Sequence, residues 1–465
     1  MQPQGSIPRQ LFRLAAPIIG INVLTVLMLA VDSALCGRLP GAEAADALAA
    51  LGYATQVVFL LMVAMLGLIV GTVALVARAY GAGDHARVNH LLIQSTQLTI
   101  IVGVAVGVAG ALLARPILVV LGASAEVAAT GERYLRPLML GTPMFYLTLL
   151  YTGVFRGVGN TRIPFLCAAL ANVVNAGLNY ALVLGHLGAP KLGVTGSALG
   201  TVCAQTLNLA VLVIAMRRGA VEDLHLPFAL RPVDRPLAGD LFRIGWPAAL
   251  DMLILNAGFL SALGMLGRID QITVAAHGLG LRVQSLAFVP GLSIAQAMGA
   301  MIGQSLGAND VARARKIVRA ALALCAAIMI ALAIPIALAA GMLVGIFDVS
   351  TGTPLGDYSI EWMQVLAVTM VPSAVNIAFM GLFQGSGATM TSLLINIAST
   401  LAIQVPLAWL LGFPLGMAAL GVWLSFPIAA AAKAGLQYVA YRRARWAVTG
   451  VKVTARHHPP VSPAE

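Results

Sequence analysis

Twelve apolar runs follow one another along this chain, each about the ~20 residues that cross a bilayer as a helix. Their approximate limits are 14–36, 52–77, 92–114, 134–155, 163–185, 194–216, 244–267, 278–302, 318–346, 362–384, 391–412 and 419–440. Inside a bilayer every backbone group must be bonded within the protein, so runs of this length fold as helices. They do not alternate polar and apolar residues, which excludes a β-barrel. The charged fraction agrees, at 10% against about 25% for soluble domains. The second, eighth and ninth runs are long enough to tilt or to extend past the membrane. The opening MQPQGSIPRQLFRL does not read as a cleavable signal, because the run after it is too long for a signal core.

Lys and Arg set the expected orientation. With the N-terminus in the cytoplasm, 20 of them fall on the inner side and 6 on the outer side, leaving Arg282 and Lys433 within spans. Basic residues favour the cytoplasmic face, so both termini are expected inside. The net charge of +11 is explained by the bilayer and implies no nucleic-acid partner. The four cysteines have no metal or disulfide spacing and read as small core residues.

The longest polar stretch, from Arg217 to Arg243, divides the spans six and six. The expected organisation is a cytoplasmic tail (1–13), a first lobe (14–216), a cytoplasmic linker (217–243), a second lobe (244–441) and a basic tail (442–465). The halves repeat. LFRLAAP (11–17) recurs as LFRIGWP (241–247), YGAGDHAR (80–87) as LGANDVAR (306–313), and GVFRGVGNT (153–161) as GLFQGSGAT (381–389). LGV (192–194) recurs as LGV (420–422). Four matches in order at near-constant offset indicate duplication. Each half has an even number of spans, so the repeat is parallel and its pseudo-two-fold axis runs along the membrane normal. Chains of this build hold substrate between their halves.

Polar residues inside the spans are the candidate site. A carboxylate at membrane depth costs roughly 2.5–3.5 kcal/mol on the insertion scale, so Asp32 requires a partner or a function. It is either a structural acid bonded to a neighbouring helix or an ion- or proton-handling one. Asn172, Asn175 and Asn179 in the fifth span share a helix face. Asn175, Asn179 and Thr201 sit at depths compatible with Asp32, which suits either a polar pocket or plain helix–helix bonding. Pro17 removes a backbone hydrogen bond within the first span and predicts a kink. In the second half the repeat partner of Asp32 is Ala262, so the acid is not duplicated. Asp251 lies one turn beyond Pro247, about 10 Å in from the cytoplasmic side, with no evident basic partner. It is expected either to line a substrate cavity and bind a cationic substrate or to bond locally near the inner interface. Arg282 is expected either in a substrate cavity or turned outward toward the interface. Asn256, Gln284, Gln296, Asn376 and Gln384 suit a cavity lining or helix bridges. No ATP-binding loop, zinc-protease motif or nucleophile elbow is present, so the chain reads as neither enzyme nor metalloprotein and requires no cofactor.

Together these residues resemble the multidrug and toxic compound extrusion (MATE) family from about residue 11 to 440. The resemblance rests on Pro17 and Asp32 in the segment ending VDSALCGRL, on the duplicated GAGDHAR and FRGVGNT motifs, and on AAHGLGLRVQSLAFVPG (275–291). It implies an all-α membrane protein with twelve helices in two six-helix lobes. It also implies export of cationic or amphipathic organic compounds in exchange for inward H⁺ or Na⁺, from the inner membrane of a bacterium. By matching position, Asp32 takes the place of the family's coupling acid, Pro17 of its bending proline, and Asn175 and Thr201 of polar residues near the acid. Asn179 stands where several members have a second Asp. The C-lobe acids of sodium-linked members are replaced by Leu255 and Ser373, which favours H⁺. A lipid flippase of the same superfamily and a passive channel are the rival readings. A single chain is expected to suffice as the working unit.

Overall fold

A computed structural model describes residues 5–219, 221 and 232–448. Among these, all regular elements are helices. The first half comprises α1 (Ile7–Cys36), α2 (Ala42–Gly81), α3 (His85–Val120), α4 (Ala125–Leu140), α5 (Thr142–Gly157), α6 (Arg162–Leu184) and α7 (Val194–Arg217). The second comprises α8 (Arg235–Ile269), α9 (Gln271–Gly307), α10 (Val311–Leu338), α11 (Ala340–Gly345), α12 (Pro354–Ser386), α13 (Thr389–Asn396), α14 (Val405–Gly412) and α15 (Ala418–Arg442). A π-helical run, Ile397–Gln404, joins α13 to α14 within one span. Among the described residues, eleven helices are long and apolar enough to cross a membrane, or twelve when the bent pair α4–α5 is counted as one span.

That fourth span corrects the expectation of one unbroken helix over 134–155: it bends by 51°. The cause is local. Pro143 has no N–H for the Met139 carbonyl one turn below. The chain closes α4 with a Gly141 N to Pro137 O bond of 2.9 Å and restarts with a Met144 N to Gly141 O bond of 2.9 Å.

The chain forms two compact units, Ala16–Phe242 and Met1–Ala15 with Arg243–Glu465. Their boundaries fall inside LFRLAAP and LFRIGWP, at nearly the same place in the repeat. The first turns of α1 lie in the expected N-terminal tail, and α8 begins inside the expected linker. Linker residues 220 and 222–231, and the tail from 449 on, lie outside the described residues. The end of the linker is held by α3: Gln94 bonds the Pro232 carbonyl at 2.9 Å and the Asp234 N–H at 3.1 Å. His90 meets Asp234 at 2.9 Å, and Asp234 caps α8 through the Leu237 N–H.

The repeated motifs have structural jobs. In GAGDHAR and GANDVAR the acid is a helix N-cap. Asp84 accepts from the Arg87 N–H at 2.9 Å and Asp310 from the Arg313 N–H at 2.8 Å, each satisfying an otherwise unpaired donor. The residue before each acid is left-handed, Gly83 at φ 73° and Asn309 at φ 57°, which Gly and Asn tolerate best. The other motif is a small-xxx-small pair, Gly153/Gly157 and Gly381/Gly385, which lets helix backbones approach. In the second unit this approach is close enough that a Cβ on Gly385 would fall on the Gly299 backbone of α9.

Candidate functional site

The first span brings Asp32 into a closed polar cluster, where it is 3% exposed. Asn179 of α6 donates its amide to Asp32 Oδ1, and Thr201 of α7 donates its hydroxyl to Oδ2 at 3.4 Å. Asn175, one turn before Asn179, donates to Thr201 Oγ at 3.1 Å and accepts from Asn179 at 3.4 Å. The four residues expected at compatible depths therefore form one bonded network. Asn172 stands apart: its amide returns to the Ala168 carbonyl of its own helix at 2.9 Å. Cys36 sits against Ser197, and Tyr134 of α4 also lies near the acid. No Lys, Arg or His among the described residues forms an ion pair with Asp32.

Close packing of α6 on α7 makes the network possible. Gly196 and Gly200 form a small-xxx-small pair on α7, and a Cβ on Gly200 would fall on the Asn179 carboxamide. Sequence reasoning missed Gly200, although GSALG beside an Asn-rich helix was a visible signal. Gly200→Ala should push Asn179 off Asp32. A hydrogen bond to a charged group is worth roughly 1.5–3 kcal/mol, so any activity that depends on Asp32 should fall by about tenfold or more. Gly177→Ala on α6, whose Cβ would meet nothing, should stay as active as the wild type when both are compared with Gly200→Ala in reconstituted lipid vesicles.

The second unit holds a smaller cluster. Asp251 on α8 is 4% exposed. Asn396 of α13 donates to its Oδ1 and Ser392 to its Oδ2 at 3.1 Å. Thr389 ties the same two helices by donating to the Ile244 carbonyl at 2.6 Å. Contrary to the reading of Asp251 as an acid without a basic partner, Lys433 of α15 interacts with it electrostatically, though no ion pair forms within 4.0 Å. Sequence reasoning missed Ser392, Asn396 and Lys433, which lie 141 residues or more from Asp251 along the chain.

The other candidates are not gathered around these acids. Asn376 is buried and donates to the Ala430 carbonyl at 3.1 Å, bridging α12 to α15. Gln284 is buried with its Oε1 unpaired, while Arg282, two residues before it on α9, is exposed. Asn256 is half-buried. Pro17 lies within α1, which remains helical on both sides of it.

Duplicated helical lobes, each with a buried acid bonded to neutral partners, define a polytopic membrane protein of repeat architecture. The family profile MatE matches residues 17–181 and 247–410, one block in each half, and the chain belongs to this family. It is 30% identical to a probable multidrug resistance protein NorM of Bradyrhizobium diazoefficiens over 460 residues, covering 95% of this chain and 96% of that protein. It is 27% identical to a probable multidrug resistance protein YoeA of Bacillus subtilis, covering 94% of each. Among solved structures it resembles a MATE crystal structure in a bent conformation, with a TM-score of 0.87 at 21% identity over 97% of this chain and 98% of the other. An outward-facing multidrug resistance MATE transporter superposes with a TM-score of 0.86 at 22% identity, covering 96% of this chain and 97% of the other. These likenesses establish the fold.

Proposed function

We propose that this chain is a proton-coupled antiporter that exports cationic or amphipathic organic compounds, with Asp32 as the coupling group. The observation that carries this reading is a buried carboxylate whose direct partners are all neutral. A permanent salt bridge would hold the charge in place, whereas amide and hydroxyl partners can serve either protonation state. Asn179 Oδ1 is buried and has no partner. It is an acceptor in reserve: once Asp32 takes up a proton, the carboxamide can turn and accept its O–H. Proton and cationic compound then draw on one negative charge, and loading by either disfavours the other.

The names of the bacterial relatives support drug-like organic substrates. The bacterial sources of these relatives, together with the apolar helices of this chain, support the inner membrane as its location. The Lys and Arg distribution supports cytoplasmic termini. The absence of acids at Leu255 and Ser373 favours H⁺ over Na⁺, and one chain carrying both lobes is taken as the working unit. Pro17 serves as the bending point of α1. Pro17→Ala restores the bond to the Arg13 carbonyl and should bias α1 toward one conformer. Labelling of cysteines introduced along α1 should become asymmetric between the two membrane faces, while wild-type labelling would remove Pro17 from the cycle. The functional reading itself is tested in cells loaded with a fluorescent organic cation. Expression should lower the internal concentration below the external one, and an uncoupler should abolish the difference. Equilibration without net export would instead mark a passive channel.

A further inference from the structure

Asp251 falls at the repeat position of Ile21, three helical turns before Asp32, or about 16 Å along the helix axis. It is thus not the duplicate of Asp32, yet it uses the corresponding helices. In each half the acid is on the first helix and its amide partner on the fifth span. We propose that Asp251, Ser392 and Asn396 form a second proton-exchange site, with Lys433 as its counter-charge. The inference rests on the reading of the chain as proton-coupled.

Three observations lead there. Both carboxylate oxygens accept from neutral donors, and Lys433 acts on the acid without closing an ion pair. The charge is therefore balanced but not locked. Next, Asn396 Oδ1 is buried without a partner, on the carboxamide whose amide group already holds Asp251. It repeats the reserve acceptor found at Asn179, so a proton on Asp251 would find an oxygen to bond after one turn of the side chain. Finally, Asp251, Ser392 and Asn396 are 4%, 3% and 1% exposed. The cluster is thus shielded from bulk water, as a site that exchanges a proton can be.

The π-helical run begins at Ile397, directly after Asn396. Such runs are less stable than α-helix and recur at functional sites. A change in the Asn396 bond is thereby joined to a segment able to shift its helical register. The step itself is simple: a proton from the aqueous phase bonds to one Asp251 oxygen, and the same O–H bond breaks on release. Lys433 on α15 is the charged group acting on the acid; the α13 partners, Ser392 and Asn396, do not titrate.

Infrared difference spectra of the full chain in lipid nanodiscs, taken between acidic and neutral pH, test this without transport. Asp32→Asn should keep a protonated-carboxyl band, and the Asp32→Asn/Asp251→Asn double variant should lose it. Asn396→Leu keeps the acid but removes its partner, so the band should move to higher frequency. Lys433→Met removes the counter-charge, so the band should persist into more alkaline samples. An ionised structural acid would give no such band, and an Asp251→Asn spectrum identical to its parent overturns the proposal. If Asp251→Asn fails to fold, a band indifferent to both Asn396→Leu and Lys433→Met overturns it equally. So does a band that NaCl removes and KCl does not, which would mark a sodium site. The readout is independent of Asp32, so a failure of the Asp32 assignment would appear in transport and leave these spectra unchanged.

Discussion

Asp32→Asn should abolish gradient-driven export while leaving a folded, membrane-inserted protein. The two halves of that expectation have separate causes. Asparagine cannot release or take up a proton in the working range, so the coupling step is lost outright. The network nevertheless survives the change. The new carboxamide oxygen accepts from Asn179 as Asp32 Oδ1 does, and its amide faces Thr201 Oγ, which has acceptor capacity. Yield and size-exclusion profile should match the wild type. Active export by the variant against a concentration gradient would remove Asp32 from the coupling role.

The largest stability effect is expected at the other repeated motif. A Cβ on Gly385 falls on the Gly299 backbone, one on Gly381 falls on the Ala295 backbone, and one on Gly299 lies 3.1 Å from the Gly381 carbonyl oxygen. Backbone cannot rotate away as a side chain can, so α9 and α12 must separate. Gly385→Val should cost about 3 kcal/mol, the upper end of the usual overpacking range. Gly278→Ala on α9 meets nothing within 4 Å and should be neutral or gain up to about 1 kcal/mol from helix propensity. Thermal unfolding in detergent followed by size exclusion compares the two. Equal melting temperatures would show that the interface relaxes freely.

Much of this architecture is legible in the sequence because the bilayer narrows the choices. Long apolar runs must be helices, residues three and four apart share a face, and the rise per residue sets depth, which together group Asp32, Asn175, Asn179 and Thr201. What stays hidden depends on local geometry or distant pairing. The break at Gly141 is masked because LMLGTPMF stays apolar across it, so hydropathy continues where the helix does not. Asn172 has the right spacing for the network, yet an amide can bond its own helix, and spacing alone does not decide between the two. The Asp251 cluster joins α8, α13 and α15, helices whose residues meet only once the second half is folded. Likewise, the repeated motifs mark the family without marking its chemistry. They cap helices and permit close packing, while the acids lie outside them or, as at Asp251, at unmatched positions.

In the proposed mechanism, protons passing through Asp32 drive the export of an organic cation. Its most direct test is transport by the purified chain in proteoliposomes under imposed ion gradients. An inwardly directed proton gradient should drive accumulation of the organic cation in the opposite direction. A sodium gradient at equal pH on both sides should have no effect, and Asp32→Asn should respond to neither. Export driven by sodium alone, or pH-driven export that persists in Asp32→Asn, would rule out Asp32 as the proton-coupling group.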